Sequence, residues 1–199
     1  MSNVSMCIWL EHTRANKVMP ESVTAGVATI DIYTGKTTLH QSTVAYHHNP
    51  STYDEVERLV AIHRPSECLI VSNLEDSTVR DIVSFVGLDN TKTHVVKRDD
   101  KKSDLGAKAK NADRQVYQME TFRRFYPDLS EEVVVTAIMQ THSVAVQGFV
   151  LLLDFVYSHS PQLTSQFEPP TFETHRDRLL LANHSLRQLN IIDDSRHSG

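Results

Sequence analysis

A change of residue periodicity near position 50 constrains this fold more than any other feature. Before it lie strand-like segments at Met6 to Glu11, Ala25 to Tyr33 and Lys36 to Tyr46. Thr34-Gly35-Lys36 joins the last two, with Gly35 free to take a positive φ in a tight turn. In the second segment Val27, Thr29, Asp31 and Tyr33 point one way, and Ala28, Ile30 and Ile32 the other. This pattern predicts a three-strand antiparallel meander.

After it, helix and strand alternate. Thr52-x-x-Glu55 reads as a capping box opening a helix to about His63, with Val56, Leu59, Val60 and His63 inward. Glu67 to Ser72 is a short buried strand, and Ser77 to Val86 a second helix stopped by Gly87. Thr93 to Val96 gives a fifth strand, and right-handed crossovers predict that the strands at Cys68 and Val95 run parallel to their neighbours. Beyond a charged loop, Arg98 to Gly106, the pattern predicts a helix over Asn111 to Phe125 and helix in one or two pieces from Ser130 to Tyr157. Pro161 to Pro170 reads as a linker, followed by strand-like Phe167 to Thr174 and Asp177 to Leu181. The fold class is α/β: a mixed sheet flanked by helices, then a mostly helical segment. The run Leu179 to Ile192 turns at Asn183 into a short amphipathic helix with little sequence left to pack against, so the chain reads as cut from something longer.

The composition is that of a globular protein, 40% hydrophobic and 23% charged. A net charge of -5 argues against a surface built wholly for nucleic acid, though not against a local basic face. Cys7 and Cys68 sit in apolar runs, which predicts buried thiols and an intracellular, reducing compartment. No apolar run is long enough for a membrane span, and Met1 to Ser5 has no cationic, apolar leader.

Few residues form a chemical constellation. Asp31, a carboxylate by the hairpin, sits where two-metal nucleases of the ribonuclease H type carry one. That chemistry needs three or four converging acids, for which Glu67, Asp99, Asp100 and Asp104 are candidates without a recognisable spacing. Thr34-Gly35-Lys36-Thr37 lacks the upstream glycine and following helix of a phosphate loop. The 11 histidines show no zinc-site spacing, so no metal site is expected. Between Lys97 and Arg124 nine Lys or Arg residues stand against five Asp or Glu, with Phe122, Phe125 and Tyr126 at the end of the stretch. Two readings stay open: a solvated helix face with an aromatic core anchor, or a docking surface for a protein or a nucleic-acid backbone.

Gly26 to Gly35, Arg64-Pro65-Ser66-Glu67-Cys68-Leu69-Ile70, Ala145 to Leu153 and Leu179 to Ile192, in that order and spacing, resemble the connector domain of MutS-type DNA mismatch repair proteins and the start of the following core domain. Thr13 to Thr24 and Asn49 to Glu55 look closest to the MutS branch of giant viruses and octocoral mitochondria, which would place the chain in a virus-infected host cell or a mitochondrial matrix.

The resemblance implies a ribonuclease H-like connector at 1–142 and helix, linker and core-domain start at 143–199. It implies a non-catalytic piece without a cofactor, coupling the mismatch-binding and core parts of a larger DNA-dependent ATPase. That whole protein would use ATP and magnesium, bind mismatched duplex DNA and be dimeric. A MutL-like partner surface is implied at Phe122, Arg123, Arg124 and Tyr126, and backbone contacts to DNA at Lys108, Lys110 and Arg114. The alternative is a metal-dependent nuclease using Asp31.

Overall fold

A computed structural model describes residues 2–129 and 132–172. The strand expected at 177–181 and the helix after Asn183 lie outside them. The opening meander is β1 (Val4–Thr13), β2 (Ser22–Asp31) and β3 (Thr37–Ala45). Helix α1 (Asp54–His63) returns the chain to the other side of β1, where β4 (Glu67–Val71) pairs parallel to it. Helix α2 (Asp76–Phe85) then leads to β5 (Lys92–Val96), parallel to β4. The two residues of β6, Thr171–Phe172, close the far edge on β3. The sheet order is therefore β5-β4-β1-β2-β3-β6, the ribonuclease H-like arrangement.

The pleat sends alternate side chains to opposite faces. Met6, Ile8, Val27 and Ile70 meet α1 and α2 through Val56, Leu59, Val79 and Ile82. Cys7, Trp9, Ala28, Ile30 and Leu69 face the second helical layer. That layer holds α3 (Asp104–Asn111), α4 (Gln115–Phe125), α5 (Glu132–Thr141) and α6 (Ser143–His159). Cys7 and Cys68 are buried free thiols on opposite faces, and burial pushes both thiols well up from their ordinary values.

Several local expectations change. The helix expected over 111–125 begins only at Gln115, and a further helix, α3, starts inside the expected loop, where Ser103 Oγ accepts from Gly106 N and caps it. Thr52 forms no capping box: its hydroxyl accepts from His47 N, while Glu55 pairs with Arg58 and His40. The expected division after residue 142 falls inside one core. Helix α6, apolar on nearly all sides, lies across β1 and β2 with Phe149, Val150, Leu151 and Leu152 fully buried.

Two residues paired across β2 and β3 seat its amino end. Gly26 lets the backbone of Val144 and Ala145 approach directly. Its partner Gln41 turns Oε1 toward that end and accepts from Val144 N at 2.9 Å and Ala145 N at 3.0 Å. These are amide groups that a helix leaves unsatisfied at its start.

The one carboxylate of α6, Asp154, accepts from the Tyr117 hydroxyl of α4. Burial raises it above its ordinary value, opposed by Lys108 and reinforced by Asp104. A folded carboxyl that keeps its proton to higher pH than the unfolded one loses stability as pH rises from the ordinary value of 3.8 through the raised one. Asp154→Asn, which retains an acceptor for Tyr117, is expected to be the more stable protein above that window and to have a flatter stability profile. Urea denaturation across pH, followed by the fluorescence of the single tryptophan, Trp9, measures both.

Candidate functional site

The chain leaves β1 toward β2 on one side and later returns to β4 on the other, so β1 and β4 flank a topological switch point. In open α/β sheets, ligands bind in the crevice at the carboxyl ends of such strands. A cleft of about 430 Å³ lies there. One wall is the end of β1 from Trp9 to His12 with Arg14, a second is the turn from Val71 to Glu75, and Arg98 comes from the segment after β5. Ser72, buried under the turn, donates its amide to Val96 O and accepts from Leu74 N through its hydroxyl, which holds the turn's shape. Lys97 pairs with Asp76 at 2.7 Å beside the cleft, and each holds the other charged: the lysine lies above its ordinary value and the carboxyl below its own.

Charge in the cleft is mixed. Glu11 and Glu75 supply carboxylates, and Arg14 and Arg98 supply guanidinium groups. Arg98 is tied to Asp113, whereas Arg14 has no ion pair among the described residues. His12 belongs to a neighbouring cluster in which Glu21 takes His12 Nε2 on one oxygen at 2.8 Å and His48 Nε2 on the other at 3.0 Å. Such a surface suits a polar, charged ligand. None of the cleft's charged residues is singled out by local sequence, since they come from three segments far apart along the chain.

The acids considered for a nuclease lie elsewhere. Asp31 caps the β2–β3 turn, accepting from Tyr33 N and Thr34 N at 3.0 Å each. It pairs with Val4, at the opposite end of β1 from the cleft. Glu67 is at that same remote end but on the other face of the sheet, opposite Ser5. Burial raises the Glu67 carboxyl, and hydrogen bonds from His94 and Lys92 outweigh that and hold it below its ordinary value. A sheet therefore separates Asp31 from Glu67, and they cannot share a cation. Asp100 caps a turn through Lys102 N, Asp104 pairs with Lys108, and Asp99 is exposed.

The expected partner surface divides. Phe122 is 2% and Tyr126 5% exposed, and both pack with Phe149 at ring separations of 5.9 and 6.3 Å. They are core residues, and a partner cannot reach them. Arg124 stays exposed with its guanidinium over the Tyr157 ring at 4.0 Å, and Arg123 lines a shallow groove with Val116 and Met119. Of the residues expected to meet a DNA backbone, Lys110 and Arg114 are exposed, and Lys108 is half-buried against Asp104. They do not line the cleft.

No family model matches the chain. Over 98% of its length it is similar, at 17% identity, to a protein described as a DNA mismatch repair MutS homolog of Acanthamoeba polyphaga mimivirus. The chain spans 18% of that protein's length. Among solved structures it is similar to a Fowlpox virus resolvase in complex with Holliday junction DNA, at 14% identity, a TM-score of 0.41 and coverage of 77% of this chain and 99% of the resolvase. It is also similar to T. thermophilus RuvC in complex with a Holliday junction substrate, at 12% identity, a TM-score of 0.43 and coverage of 79% and 96%.

These findings correct two expectations. A non-enzymatic piece was expected, yet the solved structures it resembles are resolvases, which are enzymes. The expectation of a piece without a cofactor is withdrawn with it. The residues themselves fit a two-cation centre poorly: among the described residues no three His, Cys, Asp or Glu side chains group so as to hold a metal ion.

Proposed function

We propose that this chain is the ribonuclease H-like module of a DNA-processing protein of the MutS type, and that it meets DNA at the end of the sheet carrying the cleft. The observation that carries this reading is Arg14, exposed and without an ion pair among the described residues, beside a switch-point cleft that also holds Arg98. Guanidinium groups recognise phosphate by paired, charge-assisted hydrogen bonds. The similarity to the mimivirus MutS homolog along nearly the whole chain supports the MutS part. In this reading the module couples neighbouring parts of the larger protein, and the exposed Arg123 and Arg124 offer a place for a protein partner. Two buried, unpaired thiols suit a reducing compartment.

Binding of the 199-residue chain to a labelled four-way junction and to linear duplex, over a salt series, tests it. Affinity is expected to fall with salt. Arg14→Gln is expected to weaken it about threefold to tenfold and, for one lost phosphate contact, to make the log–log salt slope shallower by about one. Absence of binding at low salt rejects the reading.

Glu11 and Glu75 on the same cleft favour a second reading, a nuclease that uses these acids rather than Asp31. Adding magnesium or manganese to the junction samples separates the two. Cleavage that Glu11→Gln or Glu75→Gln removes selects the nuclease.

A further inference from the structure

The β1–β2 connection carries the most exposed large apolar residue among those described, and its surroundings say what it meets. The last rung of the hairpin pairs Thr13 with Ser22, leaving 14–21 as the loop. Asn16 shapes its tip: Oδ1 accepts from Val18 N and Met19 N at 2.8 Å each, and its own amide donates to Met19 O at 2.9 Å. A side chain that replaces backbone partners in this way fixes a tight turn. The turn holds Val18 86% and Met19 58% exposed. Loop tips ordinarily carry small or polar residues, and two adjacent apolar side chains held outward leave apolar surface in water.

The incoming flank is cationic. Lys17 adjoins Val18, Arg14 begins the loop, and neither forms an ion pair among the described residues. The nearest loop carboxylate, Glu21, is occupied by His12 and His48, and Glu11 stands half-buried at the foot of the hairpin. β1 runs toward this tip in parallel with β4, so the loop stands at the cleft's end of the sheet, and Arg14 belongs to both.

We propose that this loop is a DNA wedge: Val18 and Met19 enter a base step while Arg14 and Lys17, both on the incoming side of the tip, hold neighbouring phosphates. Apolar side chains inserted between bases unstack and kink a duplex, and flanking cations offset part of the unstacking cost. Val18 and Met19 adjoin each other at the tip, with Arg14 and Lys17 just before them in the same loop. The inference rests on the DNA reading above and adds to it how the DNA is deformed.

The test uses a junction and a duplex carrying 2-aminopurine, whose fluorescence rises when its base leaves the stack. The 199-residue chain is expected to raise it about threefold on binding, whereas Val18→Ser with Met19→Ser binds within about threefold of the parent and gives almost no rise. Both positions are exposed, and an unchanged thermal midpoint shows that the variant is folded. Binding by the parent without a rise overturns the wedge and leaves the DNA reading standing; no binding overturns both. If instead the parent self-associates in sedimentation or floats with vesicles, and the double variant does neither, the tip serves a protein or lipid surface and the wedge is rejected.

Discussion

Gly26→Ala is expected to destabilise this protein by about 3 kcal/mol, at the upper end of what overpacking usually costs. The added methyl would stand 2.5 Å from Ala145 N and 2.6 Å from Val144 C. Both are backbone atoms, so no rotamer change relieves the contact. The amino end of α6 has to withdraw, and in withdrawing it loses the two amide bonds to Gln41. For a chain of this size the change lowers the melting midpoint by roughly 6–12 °C. Far-ultraviolet dichroism and Trp9 fluorescence should report it together, since Trp9 packs in the same core. Gly148→Ala on α6 is the control. The nearest atoms to its methyl would be Cys7 Sγ at 3.4 Å, Trp9 Cβ at 3.7 Å and Cys7 Cβ at 3.8 Å, ordinary contacts. Alanine also favours helix by about 1 kcal/mol over glycine, so a neutral or slightly stabilised protein is expected there. Equal effects at the two glycines would refute the docking of α6 described above.

Phe149→Ala is expected to cost about 3–5 kcal/mol, the range for a large aromatic removed from a core. The ring is fully buried between Phe122 and Tyr126, and it ties α4 to α6. Burial also pushes the Tyr126 hydroxyl up from its ordinary value, so the enclosure has a second reporter. In Phe149→Ala, spectrophotometric titration should find Tyr126 ionising nearer the ordinary tyrosine value, alongside a lowered urea midpoint. Phe149→Leu, which leaves a smaller void, should lose clearly less. A loss below about 1 kcal/mol would mean that the α4–α6 contact is not part of the core.

How much the sequence disclosed depended on how local each determinant was. The β2 faces were readable because alternation repeats every second residue, and Ala28 and Ile30 do oppose Val27. The turn at Gly35 and the stop at Gly87 were readable for the same reason, and both take positive φ. The parallel placement of β4 and β5 followed from helical crossovers between short strands. Thr52 and Glu55 had the spacing of a capping box, but their partners come from β3 and the segment after it, and those prevailed. Phe122 and Tyr126 next to Arg123 and Arg124 looked like a surface because no local pattern reveals that Phe149, more than twenty residues on, covers them.

The cleft was the least legible part. Glu11, Arg14, Glu75 and Arg98 have no common motif, and only the parallel pairing of β1 with β4, and of β4 with β5, brings their segments to one end of the sheet. By itself the sequence determined the strands, the turns and the two-sided apolar pattern, since these rest on backbone geometry and side-chain alternation within a few residues. The tertiary structure decided which acids could meet, which aromatics were covered and where a charged ligand could sit. Those outcomes depend on distances between segments far apart in the chain, which local periodicity does not encode.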